Sequence, residues 1–475
     1  MRKSVVAGTV LAVAAGAWAG APYATGMWAE QAFRANLKAL SGHPQVAIEL
    51  TAYERGWRHS RAASRLTLKA PERAITFRLQ HQIEHGPTLS LPALARVTTT
   101  PTITAERART VAHYFGDKAP LKSQVRIGFT GAQHLTFASP AYHGPAHHDD
   151  NLRVDWQGLN GEADIGASGD RVNLELAAPG LAIAGEEGKV AISGLSARSG
   201  LTRQADHLWV GDSRMAVNKV TLDVPNTEEG GRIRGHIRRI SAQSAITDGN
   251  NGDLLRVNAG WGFEQAELDG RTFADGALAL ELRNIDKAAY RELQERASQL
   301  QSGELAQEEL ARKNLALLQE LLPRFLARSP ELAITRLSLE TDDGRLAGTA
   351  EATYRGDRQA ESLPANPSLL LQRVTAHARL TLDKPLLSAL LRATAENTLA
   401  AKEGIDPEQA RQMAPRVAEM RLGMLQGMGI LVAEDGRYTM AASWEEGSLT
   451  VNGRPLGTGM GGGQGPVPGG GPATP

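Results

Sequence analysis

The chain runs to 475 residues and has no cysteine. That excludes disulfides, thiolate metal sites and a cysteine nucleophile, and leaves the protein to rely on its apolar core. It also lacks an excess of either charge, since 52 Lys and Arg offset 52 Asp and Glu. Nothing in that balance argues for nucleic acid or an anionic membrane surface as the main partner. After residue 21 there is no second long apolar run, so at most one membrane crossing is expected. No motif in the sequence identifies a chemistry.

What is present begins with a leader. Arg2 and Lys3 precede an apolar run from Val5 to Ala21 made almost wholly of Ala, Val, Gly and Leu. A charged segment followed by an apolar one is the pattern read by secretion machinery. Ala17-Trp18-Ala19 before Gly20 fits the small-x-small rule for signal-peptidase cleavage. The run is about 17 residues long, the lower limit for spanning a bilayer, so a retained anchor is the alternative. Residues 1–29 are thus expected to be a signal peptide or a signal anchor, and either way the remainder is expected to be exported.

Residues 30–283 read as strands. Ile75, Phe77 and Leu79 alternate with polar neighbours, as do Val125, Ile127 and Phe129, then Leu152, Val154 and Trp156, then Val172, Leu174 and Leu176. Period two with polar partners means sheet with one buried face. Leu159-Asn160-Gly161, Ser168-Gly169-Asp170, Pro179-Gly180 and Asp248-Gly249-Asn250 read as the turns between them. With no helical pattern intervening, an antiparallel meander forming a large curved sheet is expected.

From Asn284 the period becomes helical. Asp286 can cap a helix from Lys287 to about Gln301, with Tyr290, Leu293, Ala297 and Leu300 as its stripe. A second follows from about Glu304 to Leu326, carrying Leu310, Leu317, Leu321 and Leu322. Strand signals return with Ile334, Leu337 and Leu339, turn at Asp342-Asp343-Gly344, and run to Tyr354. The same order recurs: Leu380 and Leu382, a helix from about Pro385, another opened by Asp406-Pro407, an Asp435-Gly436 turn, then strands through Val451. Residues 284–456 therefore read as a tandem duplication. The fold class expected is α+β, an extended, curved antiparallel sheet with two helical hairpins in a duplicated C-terminal half. Residues 457–475, dominated by Gly and Pro, have little to bury and should be disordered.

Several short motifs occur in a particular order. Gly20-Ala21-Pro22-Tyr23-Ala24-Thr25-Gly26 follows the leader, then Tyr53-Glu54-Arg55-Gly56-Trp57 with Ser60, then Ile83-Glu84-His85-Gly86-Pro87. Asp435-Gly436-Arg437-Tyr438 and Val451-Asn452-Gly453-Arg454-Pro455-Leu456 come near the end. In this order they resemble the YdgA-like family of Gram-negative envelope proteins, over about residues 20 to 456. The resemblance implies a periplasmic protein held at the inner membrane and carries over no catalytic residue.

Other stretches imitate chemistry. His81-Gln82-Ile83-Glu84-His85 matches the H-x-x-E-H of inverted metalloproteases, which needs a helix to bring both imidazoles to one ion. Here the flanks alternate as a strand, although Ile75, Leu79 and Ile83 are also spaced for a helix. In a strand the two histidines share a face roughly 13 Å apart, too far for one zinc, and Glu84 points the other way. His143, His147, His148, Asp149 and Asp150, beside Gly144 and Pro145, read as a solvated loop able to bind Zn²⁺ or Ni²⁺ weakly. Gly211-Asp212-Ser213 resembles an esterase block but reads as a turn between Trp209 and Met215. The His377 base it would need follows Val374 where the pattern requires Asp. Gly457, Gly459 and Gly462 fit a dinucleotide fingerprint without the strand and helix it requires.

No catalytic, cofactor-binding or metal residue is assigned from these patterns, and no cofactor is implied. Met413, Met420, Met424 and Met428, with Leu386, Leu387, Leu390 and Leu391, form broad apolar helical faces. They are expected to pack on the sheet or, being soft and adaptable, to line a groove for an acyl chain or partner helix. The expected function is a non-enzymatic envelope protein binding a lipid or other hydrophobic ligand, or an envelope partner. The alternatives are a self-associating interaction module and, third, a metallohydrolase around His81 and His85 or His143.

Overall fold

A computed structural model describes residues 30, 46–69, 74–88, 90–102, 105–147, 149–205, 208–226, 231–249, 252–302, 307–356, 367–401 and 406–456. The leader and the Gly/Pro-rich tail, with Gly457, Gly459 and Gly462, lie outside the described residues, as does His148.

Alternation dictates the architecture. The first strands are β1 (Val46–Glu54), β2 (His59–Lys69), β3 (Ala74–His85) and β4 (Ala95–Thr102); helix α1 (Ala105–Phe115) then leads to β5 (Lys122–Ile127) and β6 (Gln133–Ser139). A hairpin, β7 (Tyr142–Ala146) and β8 (Asp149–Trp156), precedes β9 (Leu159–Ile165). Long strands follow: β10 (Arg171–Gly185), β11 (Gly188–Arg203), β12 (Trp209–Pro225), β13 (Arg232–Asp248), β14 (Leu254–Leu268) and β15 (Arg271–Asp286). Helices α2 (Lys287–Ser302) and α3 (Gln307–Leu326) then give way to β16 (Glu331–Thr341) and β17 (Gly344–Tyr354). After α4 (Pro367–Gln372) and β18 (Val374–Asp383) come α5 (Lys384–Ala400) and α6 (Pro407–Gly427). The described chain closes with β19 (Val432–Glu434), β20 (Arg437–Glu445), β21 (Ser448–Val451) and β22 (Arg454–Leu456).

The 22 strands among the described residues belong to one open antiparallel sheet. Sequential neighbours pair throughout, with three exceptions. β6 pairs β9, the β7–β8 hairpin joins the far half of β10, and β18 pairs β20 with the short β19 on its other side. The architecture is mainly β, with the helices as excursions between antiparallel neighbours. α1 links β4 to β5, α2 and α3 link β15 to β16, and α5 and α6 link β18 towards β20.

Caps explain where the C-terminal helices begin. The buried Asp286 carboxylate accepts from the Ala289 amide at 2.7 Å and from Arg328 Nε at 2.8 Å. Asp406 accepts from the Gln409 amide at 2.8 Å with Pro407 at the first helical position. The α2–α3 hairpin roots on the sheet through Leu208, Leu255, Ile285, Ala289, Leu317, Leu321 and Phe325. In α5 and α6 the buried residues are Leu386, Ala395 and Leu399 against Ala410, Ala414 and Ala418, small side chains that let the two helices lie close.

Four expectations need correction. Ala105–Phe115 is a helix where strands alone were expected; it is a short element of 11 residues set between strands. Leu159-Asn160-Gly161 begins a strand, the turn falling at Gly158, whose φ is 89°. Pro179-Gly180 lies inside β10, and Gly211-Asp212-Ser213 lies inside β12, paired with Leu201, Gly200 and Ser199. A Cβ on Gly211 would stand 1.9 Å from the Gly200 carbonyl oxygen, so that glycine permits close strand approach rather than a turn.

The Pro179 row has its own logic. Register aligns Pro179, Gly194, Asn218, Arg239, Glu264 and Asp275 across β10 to β15. Gly194, Arg239 and Asp275 have φ of 65°, 51° and 45°. A left-handed residue interrupts two-residue alternation, and at this row the apolar parity changes in every strand. β10 goes from Leu174 and Leu176 to Leu181 and Ile183; β12 goes from Met215 and Val217 to Val220 and Leu222. The sequence shifts phase where the backbone does, which keeps the apolar side chains on one face.

Candidate functional site

Two parts of the sheet concentrate unusual chemistry. The first lies across β2, β3 and β4. Ser60, Ser64, His81 and His85 are all buried, on the same face as Ala62 and Ile83. His81 and His85 sit in a strand, so Glu84 faces the other way and pairs with Arg96 at 3.2 Å. His85 Nδ1 lies 3.3 Å from the Trp57 carbonyl and Nε2 lies 2.9 Å from Ser60 Oγ. A carbonyl only accepts, so Nδ1 carries the proton and the serine hydroxyl donates to Nε2. His81 bridges Ser64 Oγ and Thr99 Oγ1, each at 2.8 Å, and burial pulls its pKa from 6.5 down to about 4. The His81 imidazole is therefore held neutral.

The Ser60–His85 contact has the atoms of a nucleophile and base, but Ser60 is 1% and His85 2% exposed. No substrate carbonyl can reach an oxygen so covered. The Ala93 carbonyl would stand 1.8 Å from a Cβ on Gly86, so the segment after β3 closes tightly over this end, burying Leu91 and Leu94. The arrangement is a hydrogen-bonded packing element that brings polar atoms into an apolar core without an orphaned group.

The histidines near residue 145 come apart. His143 lies in β7 and Asp149 and Asp150 in β8, with His147 in the turn between these strands, where a solvated loop was expected. His143 Nδ1 pairs with Asp155 at 2.9 Å, while the His147 ring sits 5.2 Å from that of His113 on α1. His113 Nε2 lies 2.8 Å from the Pro145 carbonyl and 2.9 Å from Tyr142 Oη, so the group docks α1 onto the hairpin. Among the described residues no group of three or more His, Asp or Glu is placed to hold a metal ion. Ser213 bonds Ser199 at 2.8 Å in mid-sheet, and His377 lies far along the sheet on β18.

The second part is a long apolar face from β10 to β21. One line of partners runs Leu176, Ala197, Met215, Ala242, Trp261, Leu278 and Leu337; another runs Ala352, Ala376, Trp444 and Leu449. The opposite face is charged, with Arg256, Glu281, Arg283 and Glu331 in a chain of ion pairs. The helices meet the sheet chiefly at β15, β17 and β18, near strand ends. Met215 is left 46%, Trp261 50% and Leu332 50% exposed.

At one end this face is shaped. Ala350, Ala352, Ala376, Ala378 and Ala442 make a floor, with Leu332 and Ile334 along one side and Trp444 and Leu449 along the other, around a trough of about 250 Å³. Trp444 Nε1 donates to the Leu371 carbonyl at 2.9 Å, which fixes that wall. The Met residues expected to pack on the sheet instead face outward: Met413, Met420, Met424 and Met428 are all exposed, because the alanine seam of α6 takes the buried side.

Comparison with known proteins places the chain. Residues 1–457 match the family described as bacterial protein of unknown function, DUF945. The chain belongs to this family. It is also 24% identical over 256 residues to Protein YdgA of Escherichia coli (strain K12), covering 52% of this chain and 49% of that protein. The chain thus spans about half the length of the curated relative it matches. No solved structure matches. The motifs of the YdgA-like family now have positions. Trp57, Ser60 and His85 meet in the first region. Asn452, with φ 49°, accepts from the Ala441 amide and donates to the Gly429 and Ile430 carbonyls, tying the end of α6 to the sheet.

Sequence reasoning missed Ser60 and Ser64 as histidine partners, His113 as the partner of His147, and the alanine floor. The last had a signal: Ala350-x-Ala352 and Ala376-x-Ala378 alternate small residues where neighbouring strands alternate Leu and Ile.

Proposed function

We propose that this protein is a non-enzymatic component of the cell envelope, exported and held at the inner membrane by its N-terminal apolar segment, that carries a hydrophobic ligand on its sheet. The observation that carries the reading is the apolar face from β10 to β21, with Met215, Trp261 and Leu332 about half exposed. Large contiguous apolar surface on a folded protein marks a place where something apolar binds. Burial of Ser60, His81 and His85 argues for packing rather than chemistry at the dyad-like contact. Among the described residues no helix is long and apolar enough to cross a membrane, so the attachment assigned here rests on the leader.

Curvature of the sheet and duplication of the C-terminal half belong to the same proposal. In each half a helical hairpin, α2–α3 or α5–α6, interrupts an antiparallel strand pair and an Asp-Gly turn follows. An experimental structure in which the two hairpins superpose together with their flanking strands supports duplication, and a mismatch removes it.

The test of function is native mass spectrometry of the full-length protein extracted from its own envelope. A bound lipid mass is the expected result; protein of bare chain mass, with no lipid recovered by organic extraction, counts against it. The exposed methionines of α6 favour a second reading, a self-associating module, which a concentration-independent monomer in sedimentation would remove.

A further inference from the structure

The trough between Leu332 and Trp444 is more specific than the face it belongs to. We infer that it holds a single linear acyl chain lying along the strands; this rests on the hydrophobic-ligand reading above and names the ligand's class and place.

The argument is one of width and polarity. Leu332 and Ile334 stand on β16, Trp444 on β20, with β17 and β18 between them. Three strand spacings put about 14 Å between the two wall strands, and the wall side chains narrow that gap. At the Leu332–Trp444 row an α-helix, roughly 10–12 Å across with its side chains, has only about 2–4 Å to spare before those walls are counted. The alanine side chains of the floor leave the lowest part of the trough open. An extended peptide is narrow enough, but it would set its own amide groups against Ala350, Ala352, Ala376, Ala378 and Ala442, whose side chains have no polar atom to pair with them. A polymethylene chain is narrow and has no such groups. Along the same face the following rows hold Leu380 beside Met440 and then the buried Leu382 beside Tyr438. The chain's apolar tail would point to that more buried end.

The probe is cis-parinaric acid, titrated into the full-length protein held in amphipol and displaced by palmitate. Ala378→Phe and Ala350→Phe place a ring on the floor, and Ala197→Phe puts the same ring on β11, on the apolar face but outside the trough. Retained circular dichroism and melting temperature establish that each variant is folded. The expected result is saturable binding, weakened by about tenfold or more in either floor variant and little changed by Ala197→Phe. Should one floor variant fail to fold, the other decides. Unchanged affinity in the floor variants overturns the assignment while leaving a hydrophobic ligand elsewhere on the face. Equal weakening by Ala197→Phe does the same. Absence of any saturable binding to the unaltered protein overturns both.

Discussion

The two ends of the sheet are built from the same alternating pattern and treat their apolar faces in opposite ways. At the N-terminal end, Ile83, Ala95 and Ile127 are almost wholly covered, and residues of β1 with Leu94 pack over them. The buried serines and histidines of that face are hydrogen-bonded to one another, Ser60 with His85 and Ser64 with His81. Towards the C-terminal end the equivalent face keeps Trp261 and Leu332 half exposed, and its polar interruption, Ser199 with Ser213, is a shallow hydroxyl pair. Alternation therefore sets which side of a strand is apolar, and the chain that returns over it decides whether that side becomes core or surface.

That contrast can be broken by truncation. Ile83→Ala should destabilise the protein by about 3 kcal/mol, through lost burial and the cavity left behind. Leu332→Ala removes a comparable side chain from the open face and should change stability by less than about 1 kcal/mol. Urea unfolding of both variants checks this, and equal losses would mean the C-terminal face is covered in solution.

Acid sharpens it. The His81 pKa lies at about 4 in the fold against 6.5 for a solvated imidazole. Between those values the unfolded chain binds the proton more readily, so stability should be complete above pH 6.5. It should fall as the pH drops towards 4, by up to about 1.4 kcal/mol per pH unit. His81→Gln should flatten this part of the pH–stability curve; an unchanged slope would show that other groups produce it.

Smaller effects are expected at the helices that root on the open half. Asp286→Ala removes both the α2 cap and the Arg328 partner and should cost about 2 kcal/mol. Asp406→Ala, at an exposed cap, should cost about 1 kcal/mol or less, read as a lowered melting temperature.

Much of this fold was legible in the residues. Asp286, Asp406 and the leucine stripes marked four helices because capping and 3.6-residue periodicity are local properties. Residues 105–115 were not recognised: an 11-residue amphipathic helix between strands is too short for its period to stand out from the surrounding alternation. Pro179-Gly180 and Gly211-Asp212-Ser213 looked like turns because turn residues also serve where a strand bends or two backbones approach closely. Of the histidine motifs, strand geometry correctly separated His81 from His85 in expectation, but nothing local paired His85 with Ser60, 25 residues away.

The sequence by itself determined the strands, the helical hairpins and the sidedness of the sheet, because alternation, capping and turn chemistry act between residues close along the chain. It also determined the phase change at Pro179, Gly194 and Arg239, which is written in the order of apolar residues. Only the tertiary structure decided which apolar face is covered, that His113 meets His147, and that five alanines from three strands form one floor. Those outcomes depend on register and on which distant segments pack together, and no local signal specifies either.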